Sequence, residues 1–312
     1  MNKFSTFFIF LVSVTLVACS PPPKFKAYTA PEQKTKIVEK IVYKGNGVDS
    51  EKKVREDYAK LPQAFTYKKN RKSNNGAYAL VIGINNYSEN TNVDYADNSA
   101  LAFEQLANET FGIPKENIIT LLNDKASSGQ LKAKIELVKE LAEKGSNLYV
   151  YFAGHGVPGK DGSTYLLPAD MSADSIHLEP NLKLEAIYKK LSQSLASNVY
   201  VFMDSCFSGK DDAGKLLYKG VAPVLRTNKT KVESKKLTIF TAGASTDFAN
   251  DFEDKKHRLF SYYLLNELSQ GGKDLSAMYE KIRRKVKRNS LMKGIGYKQV
   301  PQLYSSSKRA LY

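Results

Sequence analysis

The fold is decided by a short apolar run, Leu148-Tyr149-Val150-Tyr151-Phe152-Ala153, which ends directly before Gly154-His155-Gly156. A run without polar alternation is typical of a strand that is buried on both faces of a parallel sheet. Further runs of this kind are spaced along the chain, at 78–84, 118–122, 199–203, 237–242 and 300–304. The sequence therefore predicts a sheet of about six strands.

Amphipathic helices are predicted between these strands. Apolar residues recur at helical spacing in five segments, at 96–107, 131–142, 184–191, 259–268 and 275–286. Alternating strands and helices predict an α/β fold, with a mostly parallel sheet, helices on both faces and a single domain at 76–312. The composition fits, because 42% hydrophobic and 25% charged residues in a chain of 312 exclude a mainly disordered protein.

The first residues resemble an export signal. Lys3 precedes an apolar stretch at 4–17, which is too short to span a bilayer stably. The stretch ends in Leu16-Val17-Ala18-Cys19, which resembles the lipobox of bacterial lipoproteins, where the chain is cut before the cysteine and the cysteine carries acyl chains. We therefore predict a lipoprotein signal peptide at 1–18, lipidation of Cys19, and a membrane-anchored lipoprotein of the bacterial cell envelope. An ordinary secretory signal that contains a cysteine is the alternative, and it also implies export.

A basic polar tether is predicted at 19–75. Between residues 20 and 75 there are 14 Lys or Arg and 6 Asp or Glu, and the apolar clusters are isolated. Such a stalk suits an anionic membrane surface, although a merely soluble spacer fits equally well. The whole chain carries a formal net charge of +15, which favours anionic partners but says nothing about the fold.

Two of the predicted strands lead into turns that carry reactive side chains. The run at 148–153 is followed by His155, and the run at 199–203 is followed by Asp204-Ser205-Cys206-Phe207-Ser208-Gly209. The carboxyl ends of parallel strands share one sheet edge, so an imidazole and a thiol are expected to meet there if the strands are neighbours. This pair can supply a thiolate nucleophile and its proton acceptor. The N–H groups of Gly156 and Cys206 are the expected donors to an oxyanion.

Six stretches in a fixed order carry a family resemblance: ALVIGINNY at 79–87, YFAGHG at 151–156, YLLPAD at 165–170, DSCFSG at 204–209, HRLFSYYLL at 257–265 and QVPQ at 299–302. Together they resemble the caspase-like cysteine peptidases, in particular the bacterial metacaspase-like or orthocaspase group. The histidine and the cysteine are also about fifty residues apart, as in caspases. The resemblance covers essentially residues 76–304.

The resemblance implies a caspase/haemoglobinase-like three-layer sandwich and a cysteine endopeptidase that acts on protein or peptide substrates. It implies Cys206 as the nucleophile, His155 as the general acid/base, and an oxyanion hole at Gly156 and Cys206. Metacaspase-like relatives tend to cleave after Arg or Lys, using acidic residues in the specificity pocket. Asp204 matches one of these acids, whereas Ser99 stands where the second is expected. A preference for Arg or Lys therefore rests on one carboxylate.

Other interpretations of the same residues remain open. The sequence GHGVPG at 154–159 has the spacing of a dinucleotide fingerprint, but Pro158 and the residues after it predict a loop instead of the required helix. Cys206 could be an inert core thiol, but its place on a Ser- and Gly-rich turn after a strand predicts exposure. It could also pair with Cys19 in a disulfide. We expect His177 and His257 to be solvated, and Asp170 to cap or turn the chain.

The remaining features concern partners. A dense basic face at 281–288 is expected to be a solvated helix face, so we expect no nucleic acid partner. Neither a metal nor another cofactor is predicted from two cysteines and three histidines, and a calcium requirement is not readable from the sequence. If the enzyme cleaves after basic residues, self-cleavage in the Lys-rich stretch at 210–236 is expected. The alternative function is a catalytically silent caspase-like module that binds peptides or serves as a scaffold at the envelope.

Overall fold

The computed structural model describes residues 48–212, 214–218, 234–244, 247–305 and 311–312. The predicted signal peptide at 1–18, Cys19, the first part of the tether and most of the Lys-rich stretch lie outside the described residues. Within the ranges described, no helix is long and apolar enough to cross a membrane.

Helices and strands alternate along the described chain, as the sequence predicts. Their bounds are α1 (Val48–Ala59), β1 (Tyr78–Gly83), α2 (Ala96–Glu109), β2 (Ile118–Leu122), α3 (Ser128–Leu141), β3 (Asn147–Ala153), β4 (Gly156–Pro158), β5 (Thr164–Leu166), α4 (Leu184–Ser192), β6 (Asn198–Asp204), β7 (Leu237–Thr241), β8 (Asp251–Phe252), β9 (His257–Arg258), α5 (Leu259–Ser269), α6 (Leu275–Met292) and β10 (Gln302–Ser305).

Six strands form one sheet in the order β10-β7-β6-β3-β1-β2. Neighbouring strands are parallel throughout, except that β10 runs antiparallel to β7. Strand β1 contacts both α2 and α3, while α2 packs against α5 and α3 packs against α4. The prediction of a mostly parallel six-stranded sheet with helices on both faces is therefore confirmed.

The two central strands fix the position of the candidate site. Every residue of β3 after Asn147 and of β6 after Asn198 is buried, so their backbone groups must pair within the sheet. The register places Ala153 opposite Asp204 at the carboxyl ends of the two strands. The residues that follow these ends therefore emerge side by side at one edge of the sheet.

The packed body begins before the domain boundary predicted at residue 76. Helix α1 contacts α2, and the Arg55 guanidinium donates to both carboxylate oxygens of Glu104 at 2.9 and 3.0 Å. Further along the same segment, Phe65 and Tyr67 are buried in the core. The second half of the predicted tether is thus a helix and an extended segment that lie against the domain.

Two short antiparallel pairs lie outside the main sheet. Strand β4 pairs with β5, and β8 pairs with β9. The sequence predicts only a loop after His155, because strands of two or three residues are too short for their periodicity to be recognised. These pairs matter for the site, since β4 begins at Gly156 and β9 ends at Arg258.

Candidate active site

Two oxygen atoms hold His155, one at its backbone and one at its ring. Its backbone N–H donates to the Tyr87 hydroxyl at 2.7 Å, and the two rings lie 4.8 Å apart. Its Nε2 lies 2.8 Å from the carbonyl oxygen of Thr91. A carbonyl oxygen can only accept, so Nε2 carries the proton and Nδ1 of the neutral ring is a free base.

The Cys206 side chain lies in the turn after β6 and is 6% exposed. Its thiol donates to the carbonyl oxygen of Lys210 at 3.5 Å, within the same turn. It is the free cysteine of the described chain. The prediction of an exposed thiol therefore differs from the structure, because the segment after Cys206 folds back over the sulfur.

The turns that carry His155 and Cys206 pack directly against each other. The Gly154 N–H donates to the Asp204 carbonyl at 3.3 Å, which extends the pairing of β3 with β6 by one residue. A methyl group at Gly156 would lie 2.3 Å from the Phe207 ring and 2.6 Å from the Ser205 hydroxyl. Only glycine allows this approach.

Within the described residues, the His155 ring and the Cys206 thiol each bond to a backbone carbonyl, and no hydrogen bond joins the two side chains. Burial lowers the pKa of His155 to about 4. Burial, followed by the nearby negative charge of Asp212, raises the pKa of the Cys206 thiol. Both groups are therefore neutral at pH 7, so the two neighbouring turns carry a thiol and a neutral imidazole base.

Asp204 and Ser99, the pocket residues proposed from the sequence, both bond to the backbone of the segment that begins α5. The Asp204 carboxylate accepts from the Ser261 N–H at 2.9 Å and from the Ser261 hydroxyl at 2.6 Å, in the first turn of α5. The Ser99 hydroxyl accepts from the Arg258 N–H at 2.9 Å. Both side chains have zero exposure, so neither offers an oxygen to a substrate in this structure.

Burial is also the main influence on the protonation of Asp204. It raises the pKa of this carboxyl, against the opposing effects of the Arg258 charge and the Ser261 hydrogen bonds. Within the described residues, the second carboxylate oxygen of Asp204 has no hydrogen-bond partner. The prediction that Asp204 lines a pocket for Arg or Lys therefore gains no support from its surroundings.

An ion pair between the buried Arg258 and the partly exposed Asp212 lies near these groups. The Arg258 guanidinium donates to the two carboxylate oxygens of Asp212 at 2.6 and 3.0 Å. It also donates to the carbonyl oxygens of Asp94 and Ala249. Burial alone would lower the pKa of Arg258, but the Asp212 charge, the Asp212 hydrogen bonds and the Asp204 charge raise it.

The remaining sequence candidates have mixed outcomes. The prediction that His257 is solvated is wrong: its ring is buried 5.0 Å from the Phe65 ring, because the segment before the domain covers it. His177 is exposed, as expected. Asp170 accepts from the Ser128 N–H at 2.8 Å at the start of α3, which is the capping role expected. In the part of the chain that the structure describes, no three His, Cys, Asp or Glu side chains form a group that could hold a metal ion.

The sequence analysis missed Tyr87, Thr91, Asp212 and Arg258. Thr91 acts through its carbonyl oxygen, which leaves no signal in the side chain. Tyr87 and Arg258 lie inside the motifs that carry the family resemblance, but neither was assigned a role. An arginine directly before an apolar helix was a readable signal, because a charge at such a place must be paired if it is buried.

Comparisons with known proteins agree with this architecture. The sequence model of the caspase domain family matches residues 77–312. Among solved structures, protein GSU0716 from Geobacter sulfurreducens is similar at a TM-score of 0.54 and 17% identity, covering 73% of this chain and 92% of that one. Caspase-1 from Spodoptera frugiperda aligns at a TM-score of 0.48 and 15% identity, covering 80% and 94%, a similarity too low to carry an argument. No curated protein sequence matches the chain significantly.

Proposed function

The chain belongs to the caspase domain family, and from this premise we propose that it is a cysteine endopeptidase with Cys206 as its nucleophile and His155 as its general acid/base. The family supports a function of the cysteine-protease type. One observation supports the residue assignment most directly. The register of β3 and β6 pairs Ala153 with Asp204, so His155 and Cys206 each lie two positions after the ends of neighbouring strands.

The proposed reaction uses the tautomer set by Thr91. Nδ1 of His155 takes the thiol proton as the Cys206 sulfur attacks the carbonyl carbon of the substrate. The electron pair of the carbonyl bond moves to oxygen, where the N–H groups of Gly156 and Cys206 would each contribute about 2.7–4 kcal/mol. The oxyanion then collapses, the C–N bond breaks, and His155 returns the proton to the leaving amine. Water then attacks the thioester while His155 takes a proton from it, and His155 returns a proton to the departing Cys206 sulfur.

The finer predictions from the sequence remain proposals. Export and anchoring through Cys19 in a bacterial envelope would place the enzyme near exported proteins. A test is metabolic labelling with an alkynyl fatty acid, in which Cys19→Ser should lose the label. Cleavage after Arg or Lys also remains a prediction, but the burial of Asp204 gives it no support.

A catalytically silent module is the second candidate, and a specific observation favours it. Both reacting groups are buried and bonded to backbone carbonyls instead of to each other. An active enzyme must therefore move the segment after Cys206 away from the sulfur before a substrate binds. A silent module has no such requirement, and its thiol would stay protected.

Fluorogenic peptides with varied residues before the scissile bond test the proposed activity. We expect turnover by the wild type, none by Cys206→Ala, and a loss on the order of 100-fold or more in His155→Gln. Alkylation by iodoacetamide should also depend on His155, because the imidazole assists loss of the thiol proton. Equal turnover by wild type and Cys206→Ala would refute the assignment, and a thiol that resists alkylation in the folded protein would favour the silent module.

A further inference from the structure

The chain after Glu280 carries charge of one sign only. Residues 281–312 contain ten Lys or Arg and no Asp or Glu. Six of the ten lie in α6, at 281–288. Because acidic residues are absent from this stretch, any opposite charge must come from another segment or from a partner.

Other residues neutralise only part of the charge on α6. Glu267 of α5 pairs with Lys281 at 2.6 Å and with Lys285 at 3.1 Å, and Glu280 pairs with Arg283 at 3.4 Å. Among the residues that the structure describes, the other three cations of this stretch form no ion pair, and all three are exposed: Arg284, Lys287 and Arg288.

The three exposed cations lie beside two exposed apolar side chains. Positions 284, 288 and 292 follow each other at i, i+4 spacing along one face of the helix, and 287 lies next to 284 and 288. Met292, at the end of this face, is 77% exposed, and Ile295, in the turn that follows, is 82% exposed. We call these five side chains the basic–apolar face. The sequence alone favours a merely solvated face, because it does not show that Met292 and Ile295 are exposed beside the cations.

The apolar end of this face lies at the edge of the sheet that carries the candidate active site. The Gln299 side chain, shortly after the exposed turn, donates to the Ala242 carbonyl at 3.1 Å. Ala242 directly follows β7, whose end at Thr241 is in register with Met203 of β6. A partner that binds this end of α6 would therefore lie at the same edge of the sheet as Cys206.

From these observations we propose that the basic–apolar face binds the surface of an anionic lipid bilayer. Its cations contact the headgroup phosphates, and Met292 and Ile295 insert at the boundary with the acyl chains. The edge of the sheet with the candidate active site then turns toward the bilayer. The proposal needs neither the peptidase activity nor the predicted lipidation of Cys19.

Two other partners fit this face less well. A nucleic acid would use the cations but not Met292 and Ile295, since bases stack on aromatic rings and not on aliphatic side chains. A second copy of the chain would bring the same cations against each other, and two apolar side chains are few for a stable interface, which buries about 1,000 Å² or more. A lipid surface uses both the charges and the apolar side chains.

A fluorescent probe at the apolar end of the face tests this contact in the full chain. In a Cys19→Ser, Cys206→Ala background, Ile295→Cys would carry an environment-sensitive dye, and Leu195→Cys would be the matched control. Leu195 is 67% exposed and follows α4, which packs against α3, whereas α6 packs against α5. With vesicles of phosphatidylglycerol and phosphatidylcholine, we expect dye emission to rise several-fold at position 295 alone. Vesicles of phosphatidylcholine should give no rise, and any attachment through the apolar stretch at 4–17 is common to both proteins.

Variants separate the contributions of charge and of apolar contact. Arg284→Gln combined with Arg288→Gln should raise the lipid concentration for half-maximal response about 10-fold or more. Lys134→Gln combined with Lys189→Gln removes the same charge from α3 and α4 and should leave this concentration nearly unchanged. Met292→Ser should raise it about 5-fold or more. None of these side chains is buried, so the variants are expected to fold, and melting curves check this.

Every other outcome overturns the proposal. Equal emission changes at positions 295 and 195, or a response that does not require anionic lipid, would show that the face makes no specific contact with such a bilayer. A dye at position 295 that responds to a DNA duplex but not to vesicles would assign the face to nucleic acid. A response to rising protein concentration without lipid would assign it to a second copy. Loss of peptide turnover does not enter this measurement, so the proposed function and this inference fail separately.

Discussion

Acid should destabilise this protein through a histidine that takes no part in the proposed chemistry. The ring of His257 is enclosed by the rings of Phe65, Tyr58 and Tyr262, at centroid distances of 5.0, 6.3 and 6.5 Å. Burial lowers the pKa of His257 from 6.5 to about 4. The unfolded chain therefore binds a proton at a pH at which the folded chain does not, and stability falls as the pH drops below 6.5.

The size of the effect follows from these two pKa values. Between pH 7 and pH 5, His257 becomes protonated in the unfolded chain but stays mainly neutral in the folded chain. This difference lowers the free energy of unfolding by about 2 kcal/mol. The full difference, about 3 kcal/mol, is reached below pH 4. This is a large fraction of the 5–15 kcal/mol that stabilise a typical domain.

Urea unfolding at pH 7 and pH 5 measures this quantity. In a Cys206→Ala background, which excludes self-cleavage, His257→Phe should lose about 2 kcal/mol less between the two pH values than its parent. Comparing the two proteins cancels the contributions of other groups, including Asp97 and Asp204, whose raised pKa values act in the opposite direction. His177→Phe is the control, because it replaces a histidine whose side chain is exposed. If His257→Phe and its parent lost the same stability, the assignment of the acid sensitivity to this ring would be refuted.

Three further predictions concern stability. Gly156→Ala should lower the free energy of unfolding in urea by about 1–3 kcal/mol and abolish turnover, because the added methyl group meets the Phe207 ring. Gly129→Ala, at a helix position with open space, should instead raise it by about 0.5–1 kcal/mol, and equal effects would contradict the packing argument. Asp204→Ala should cost about 1–3 kcal/mol and Asp204→Asn clearly less, since an amide oxygen still accepts from the first turn of α5; a neutral alanine variant would show that this bond is dispensable. Phe65→Ala should lower the free energy of unfolding by about 3–5 kcal/mol. An unchanged melting temperature would mean that the segment before residue 76 is only a spacer.

Much of the candidate site was predictable, for a topological reason. The sequence places His155 and Cys206 directly after two apolar runs, and parallel strands with helical connections bring such ends to one sheet edge. The register of β3 with β6 confirms that the two runs are neighbours. The exposure of the sulfur was not predictable, because it depends on where the chain goes between Cys206 and Lys210 after the strand ends.

The sequence by itself determined the six strands, the helices between them and the family, because a strand buried on both faces requires a continuous apolar run and a helix requires apolar residues at its own spacing. Only the tertiary structure decided that the Thr91 carbonyl fixes the His155 tautomer, that Asp204 supports a helix, and that Arg258 is buried against Asp212, 46 positions away. Such pairings are set by distances between residues far apart in the chain, and backbone atoms and isolated charges leave no periodic pattern from which those distances could be predicted.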